Sequence, residues 1–423
     1  MVNWDNQANA MAHTFQQITP SMTQAQIQAL LDNGGRFYFE PGEYLIDVST
    51  GLGLNIASNS VIEFAPGAKL IALAASVESY AILMVSGKSD VTLNHPAVIG
   101  ERATHTGTAG EWGHGLQISN SRRITVNRGL FRDCWGDGIY ISGASESIVL
   151  DHPICDNNRR QGISVISCNG LDIISPVLTN TNGTLPQAGI DFEPNVPENC
   201  LENIRVVNPL TKNNSGPGIL IAPCNLANTD GKCIDIRIEG HRDEGSLNGM
   251  AVQPVVGTLD GMISTHEPVW INAQHAAYDG RNCSADGPRV EIHNPVVLSP
   301  NRQLLGSATR DVAFRLSREA GDVSTSPIGN LHIFRPSIVT DTNTQTLFYL
   351  FDDIASVKNI SLVDPVKLPQ EGILRMLWHN VETGIIRDQY RQLVPSTQSH
   401  RSICAENENS VINIITSCGG THG

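Results

Sequence analysis

Two families of short segments alternate along this chain, and their spacing limits what it can fold into. One family opens on Gly and alternates apolar with variable residues: Gly115-Leu-Gln-Ile-Ser119, Gly138-Ile-Tyr-Ile-Ser142, Gly162-Ile-Ser-Val-Ile166, Gly189-Ile-Asp-Phe-Glu193, Gly218-Ile-Leu-Ile-Ala222 and Gly249-Met-Ala-Val-Gln253. The other reads apolar-x-apolar, then mostly polar residues, then Pro. Its members run from Val61 to Pro66, Val91 to Pro96, Ile148 to Pro153, Leu171 to Pro176, Ile204 to Pro209, Val290 to Pro295, Leu331 to Pro336 and Ile360 to Pro365. Ile124 to Gly129 and Ile236 to His241 fit with the Pro replaced. The families interleave, and the Gly-to-Gly steps are 23, 24, 27, 29 and 31 residues. Each step holds at least two short strands with period-two alternation. Two strands and their turns fill the shortest steps, which leaves no room for a helix. One such coil cannot bury its apolar face alone, whereas stacked coils share a continuous core. The pattern predicts an all-β solenoid, a parallel β-helix of about ten or more coils.

A length of 423 residues alone suggests two or three domains. A solenoid escapes that expectation because it lengthens by adding coils. Residues 1–20 read as an N-terminal tail, 21–370 as the β-helix with its cap, and 371–423, where the repeat is lost, as a C-terminal cap or oligomer contact. Ser21 to Leu31 reads as a short capping helix, stopped by Asp32-Asn33-Gly34-Gly35. After Gly249 the coils become irregular, with long insertions expected around Gly257 to Asp286. Asp156-Asn157-Asn158, Asn180-Thr181-Asn182 and Asn213-Asn214 follow the Pro segments at similar offsets. Asn tolerates the left-handed backbone of sharp turns, and its amide can reach its counterpart one coil away.

The net charge of −14 argues against nucleic acid as a partner, which needs a basic footprint. No run of about 18 apolar residues occurs, so no membrane insertion is expected. Met1 to Pro20 is polar and lacks the apolar centre of a signal peptide. The nine cysteines are scattered. Cys134, Cys155 and Cys168 fall in or near strand-like segments and read as buried thiols. Cys224 with Cys233, and Cys404 with Cys418, are close enough in sequence for local disulfides. No Cys/His metal spacing is present.

The entry pattern is an Ala/Gln-rich helix, then Gly34-Gly-Arg-Phe-Tyr-Phe-Glu-Pro-Gly-Glu-Tyr-Leu-Ile46, then Ser58-Asn-Ser-Val-Ile-Glu-Phe-Ala-Pro-Gly67. Further on come Trp112-Gly-His-Gly115, Trp135-Gly-Asp-Gly138, Asn158-Arg-Arg-Gln-Gly162 and Gly189-Ile-Asp-Phe-Glu-Pro-Asn195. Over roughly residues 20–370 these features resemble the right-handed parallel β-helices of the pectate-lyase-like superfamily, and within it the phage tailspike polysaccharide depolymerases. The resemblance implies a right-handed helix, a polysaccharide partner, a homotrimer, and a place on a phage virion tail or outside the cell. The chain lacks the Asp-Asp, Asn-x-Asp and Arg-x-Lys set of polygalacturonases and the Asp-Pro-His motif of alginate epimerases. No particle-binding head is expected ahead of the helix, so a tailspike of this kind would be short, truncated or differently attached.

In the Gly segments, apolar residues one and three after Gly point inward, so those two and four after it are expected to face solvent. Only one coil then presents two carboxylates, Asp191 and Glu193. Their α-carbons stand about 6.5–7 Å apart. That separation suits both retaining and inverting glycosidases, with carboxyl gaps of about 5 or about 6.5–9.5 Å. Arg159, Arg160 and Gln161 enter one coil earlier, Asp137 two and His114 three. An outward carboxylate on a solenoid is commonly just solvated, but the neighbouring coils carry small or polar residues here. Asp191 and Glu193 are therefore the expected catalytic pair, with Asp137 as an alternative partner. Arg159, Arg160, Gln161, His114, Tyr140, Trp112 and Trp135 are expected to contact substrate. The expected activity is hydrolysis of a bacterial capsule, exopolysaccharide or O-antigen, with no cofactor and no metal. The alternatives are a uronate lyase or epimerase, in which Arg160 matters most and Ca²⁺ can bind through Asp156, Asp191 and Glu193, and a non-catalytic glycan-binding adhesin.

Overall fold

A computed structural model describes residues 15–300 and, beyond them, 312–318, 324–339, 344–351, 355–367, 373–378, 381–382, 384–387, 401–405 and 412–415. The chain divides into two compact units, Met1–Asp191 and Phe192–Gly423. Each is built from coils of parallel strands, so the fold is the expected parallel β-helix.

In the first unit, each full coil contributes one strand to each of three sheets. The first sheet runs through Ser60–Phe64, Ser89–Asn94, Arg122–Asn127, Glu146–Asp151 and Cys168–Ile174. The second runs through Ala68–Ala72, Ala97–Ile99, Leu130–Arg132, Ile154–Asp156 and Val177–Thr179. The third runs through Leu52–Asn55, Ser79–Ser86, Trp112–Ser119, Ile139–Ser142 and Ile163–Val165, and the unit ends within Ile190–Phe192. Each Pro segment thus breaks at its Pro or Gly into two strands, giving three strands per coil. The register stacks like on like: Val91, Ile124, Ile148 and Leu171 form one inward column, all buried. Each such side chain contributes roughly 1.5–3 kcal/mol on leaving water.

Left-handed residues mark the corners. Asp133, Asn157 and Asn180 recur at one bend with φ of 56°, 54° and 59°. The Asn157 amide donates to Asp133 Oδ1 one coil away at 2.6 Å, as expected of a stacked turn. The capping helix, Gln24–Leu31, starts at Thr23 in a capping box with Gln26 and buries Ile27 and Leu31. Its glutamines serve the exposed edge of Leu52–Asn55. Gln28 accepts from Asn55 N at 2.8 Å and donates to Asn55 O at 2.9 Å, and Gln24 Nε2 donates to Gly53 O at 3.1 Å.

The second unit repeats the plan, and the stretch expected as an insertion is a regular coil. Asp260–His266, Val269–Ile271 and Tyr278–Arg281 each join the sheet their position demands. Thr265, fully buried, takes an inward place usually held by an aliphatic residue. Ala277 stands where earlier coils have Gly. Beyond Gln370 the strands Ile373–Trp378, Gly384–Arg387, Arg401–Ala405 and Ile412–Ile415 also pair in parallel.

This unit buries a polar chain. Trp270 Nε1 donates to His241 Nδ1 at 3.2 Å, which leaves the His241 proton on Nε2, 2.8 Å from Thr211 Oγ1. The Thr211 hydroxyl then donates to Asp243 Oδ1 at 2.7 Å. Burial drives both titratable groups towards neutrality: Asp243 is pushed up to about 7 and His241 down to about 3.

Cys134, Cys155 and Cys168 are buried, as expected. Cys224 and Cys233 are not joined: Cys224 opens a short 3-10 turn, Cys224–Leu226, while Cys233 begins a strand of the first sheet. The Cys404–Cys418 pairing lies outside the described residues. Among the described residues, no helix is long and apolar enough to cross a membrane.

Candidate active site

The two Trp-Gly-x-Gly blocks build the site by stacking one coil on the next. Gly115 N donates to Asp137 O, Gly138 N to Gln161 O and Gly162 N to Ala188 O. His114, Asp137 and Gln161 therefore occupy one column at the entrance to the third sheet. Gly113, Gly136 and Arg160 occupy the adjoining column, with Gly136 N bonded to Gly113 O and Arg160 N to Gly136 O. The two glycines are sterically required. A Cβ on Gly136 would stand 2.5 Å from Glu111 O, and one on Gly113 would stand 2.6 Å from the Tyr80 ring.

Arg160 reaches back towards the coils before it. Its Nη1 lies 3.5 Å from Asp137 Oδ2 and 3.5 Å from Ser164 Oγ, and its Nε lies 3.8 Å from Glu111 Oε2. His114 Nδ1 lies 3.4 Å from Asp137 Oδ2 and accepts from the Asp137 backbone N–H at 3.4 Å. Its ring is stacked on Tyr140, with centroids 4.4 Å apart and an interplanar angle of 11°. Burial, and then the Arg160 charge, hold His114 down at about 3, so it is neutral at physiological pH.

Asp191 was expected to face solvent, and the structure corrects this: its carboxylate is fully buried. The cause is Gln161, whose Oε1 accepts from Ala188 N at 2.7 Å, which turns its amide nitrogen to Asp191 Oδ2 at 2.7 Å. Ser164, at the equivalent place one coil earlier, is likewise buried, under Arg160. Residues of the incoming turns thus lie over strand positions that alternation alone would expose.

His114, Asp137, Tyr140, Arg160, Ser164, Gln161 and Asp191 consequently form one polar cluster in the first unit. Glu193 belongs to the second unit, where it is half-buried; burial and then its charge raise the Cys224 thiol. Arg159 diverges from Arg160. Its guanidinium lies 3.8 Å from the Trp135 ring centroid, and its Nη1 donates to Gly110 O at 2.8 Å. Trp135 also stacks on His105 of the loop before Trp112 at 3.8 Å, so the indole has contacts with both His105 and the Arg159 guanidinium. Trp112 is exposed at the start of its strand. Glu111 was not anticipated; its signal is an acidic residue directly before Trp-Gly-His-Gly.

Among the described residues no group of three or more His, Cys, Asp or Glu side chains is placed to hold a metal ion, and Asp156 Oδ1 accepts from Thr179 Oγ1 at 2.6 Å and Asn180 Nδ2 at 2.8 Å.

Residues 75–229 match the family model described as "Right handed beta helix region". Among curated proteins, the uncharacterized protein YclG of Bacillus subtilis (strain 168) is 26% identical over 248 residues, covering 52% of this chain and 42% of YclG. The chain thus aligns with less than half the length of that relative. Among solved structures, the A-module of the Azotobacter vinelandii mannuronan C-5 epimerase AlgE6 is similar at 15% identity and a TM-score of 0.64, covering 94% of this chain and 96% of the module. The Streptococcus pneumoniae surface adhesin PfbA is similar at 12% identity and a TM-score of 0.54, covering 95% of this chain and 91% of PfbA. The fold is a right-handed parallel β-helix.

Proposed function

We propose that this chain is an enzyme acting on a uronate-bearing polysaccharide by proton transfer beside the sugar carboxylate. The observation that carries this reading is the neutral His114 ring, fixed between Asp137 and Tyr140, with Arg160 beside it. The Arg160 guanidinium pairs with the uronate carboxylate and offsets the negative charge that builds up when the neighbouring C–H bond breaks. For His114 to act as the base, its single ring proton must sit on Nδ1, facing Asp137 Oδ2 at 3.4 Å in place of the 3.4 Å bond from the Asp137 backbone N–H, so that Nε2 is free to take the substrate proton. The substrate carboxylate also screens Arg160, the charge that together with burial keeps the imidazole from holding a proton. The electron pair then either expels the glycosidic oxygen, with Tyr140 donating its phenolic proton, or takes a proton back on the other face of the sugar. The first outcome is elimination and the second epimerisation.

The likeness to the AlgE6 module, named as an epimerase of mannuronan, supports a carbohydrate substrate. A bacterial surface polysaccharide as substrate places the protein outside the cell that bears it. A second reading, hydrolysis, draws on Asp137 and Asp191, two fully buried carboxylates in one cluster. In this arrangement Asp137 faces a guanidinium and Asp191 accepts from an amide. Neither is presented as a proton donor, and this places hydrolysis second. The test is mass spectrometry of products from a panel of uronate-containing and neutral polysaccharides. Unsaturated ends without added water support elimination, and deuterium uptake from heavy water without cleavage supports epimerisation. Products heavier by one water per cut overturn the proposal in favour of hydrolysis. Binding with neither cleavage nor exchange favours an adhesin.

A further inference from the structure

We propose that Cys200 and Cys233 are a redox pair that closes to a disulfide between neighbouring coils of the second unit. Leu201 and Ile234 are partners in the first sheet and both are fully buried. One residue earlier, Cys200 and Cys233 stand side by side on the outward side of the pleat, both half-buried. Adjacent strands run about 4.8 Å apart, within the α-carbon separation of roughly 4.4–6.8 Å that a disulfide spans. The Glu202 carboxylate raises both thiols, as a charge lying near each of them does. Just ahead of the pair, Lys232 Nζ donates to Glu198 O at 3.1 Å and Asn199 O at 2.9 Å, fastening the two segments together. The register slips between Leu201 and Ile204, so Cys200 is not held as a strand interior would hold it.

Burial, then the Glu202 hydrogen bond, push Cys200 up to about 11, and burial with the Glu202 charge raises Cys233. The pair is therefore kept as thiols near neutral pH and closes faster as the medium becomes alkaline. The oxidant is a low-molecular-weight disulfide. Cys233, after losing its proton to solvent, attacks one sulfur and expels a thiolate, which takes up a proton. Cys200, likewise deprotonated, attacks Cys233 Sγ and releases the second thiol. Two protein thiols are oxidised and one external disulfide is reduced to two thiols.

The whole chain is incubated with oxidised glutathione at about pH 8.5, where thiolates are populated, then alkylated, digested and mapped by mass spectrometry. The expected result is a Cys200–Cys233 linked peptide, an intact mass lower by two hydrogens, and Cys224 alkylated. Cys224→Ser should link as the parent does. Cys200→Ser, with an unchanged far-UV spectrum, should stop at a glutathione adduct on Cys233. A persistent Cys233 adduct in the parent chain, a Cys224–Cys233 link, or alkylation of both thiols under conditions that oxidise the urea-unfolded chain would overturn the proposal.

Discussion

The His114 imidazole lies flat on the Tyr140 phenol, with ring centroids 4.4 Å apart. The stack buries the histidine, and burial with Arg160 holds it at about 3, below its ordinary 6.5. A base held there stays neutral through the physiological range. The kcat/KM profile is therefore expected to be flat between roughly pH 5 and 8 as far as this group is concerned. A break near the ordinary histidine value would move the base elsewhere. His114→Gln and Tyr140→Phe should each lower kcat by roughly 10²–10⁴-fold with substrate binding retained.

Arg159 and Arg160 adjoin in sequence but differ in what they touch. Arg160→Ala should lower kcat/KM on a uronate polymer by about 10²–10³-fold, with partial recovery in Arg160→Lys. Arg159→Ala removes the contact with Trp135 and the bond to Gly110 O. It should lower the thermal midpoint while leaving kcat within a few-fold. Equal losses of kcat from the two variants would contradict this division.

The buried chain in the second unit makes a signed pH prediction. Asp243 rises from 3.8 to about 7, so the folded state holds an extra proton and stability from this group falls as pH rises through that window. His241 drops from 6.5 to about 3, so the unfolded state holds the extra proton and stability rises with pH over that range. Between 3.8 and 6.5 the two slopes oppose each other. Asp243→Asn should expose the rising His241 slope, and His241→Gln the falling Asp243 slope. Hydrogen exchange in Leu210–Lys212 and Arg242–Glu244, followed against pH, reads both.

Thr211 links those two groups, and Thr211→Val deprives both of a partner at nearly constant volume. Each unsatisfied group costs about 1–3 kcal/mol, so the urea midpoint should fall clearly. An unchanged midpoint would show that neither group depends on Thr211.

The coil architecture was legible because Gly and Pro mark its corners. A Cβ on Gly138, for instance, would stand 2.7 Å from Asn158 Nδ2 and 2.8 Å from Gly162 O. The coil through Asp260–Arg281 escaped notice because Thr265 and Ala277 break the apolar and Gly signals without breaking the geometry. Members of the site were readable from the Trp-Gly-x-Gly blocks, since a column repeats its residues one coil apart. The burial of Asp191 was not readable. Alternation tells which way a side chain leaves its own strand, but not that Gln161 from the preceding coil will lie across it. The separation of Arg159 from Arg160 likewise depends on the 100–112 loop, whose path the repeat does not encode.

Gln28 answers both backbone groups of Asn55 with one side-chain amide, as a neighbouring strand would. A strand placed there would in turn offer a new edge, and the ladder could be continued by any extended peptide. A helix offers none, because its own backbone bonds point along its axis. Gln28 thus works as a terminator in the sense a polymer chemist gives the word, consuming the growing end without regenerating it. Gln28→Ala should leave the coils intact but turn that end into a seed, and the consequence would appear as turbidity rising with protein concentration rather than as lost catalysis.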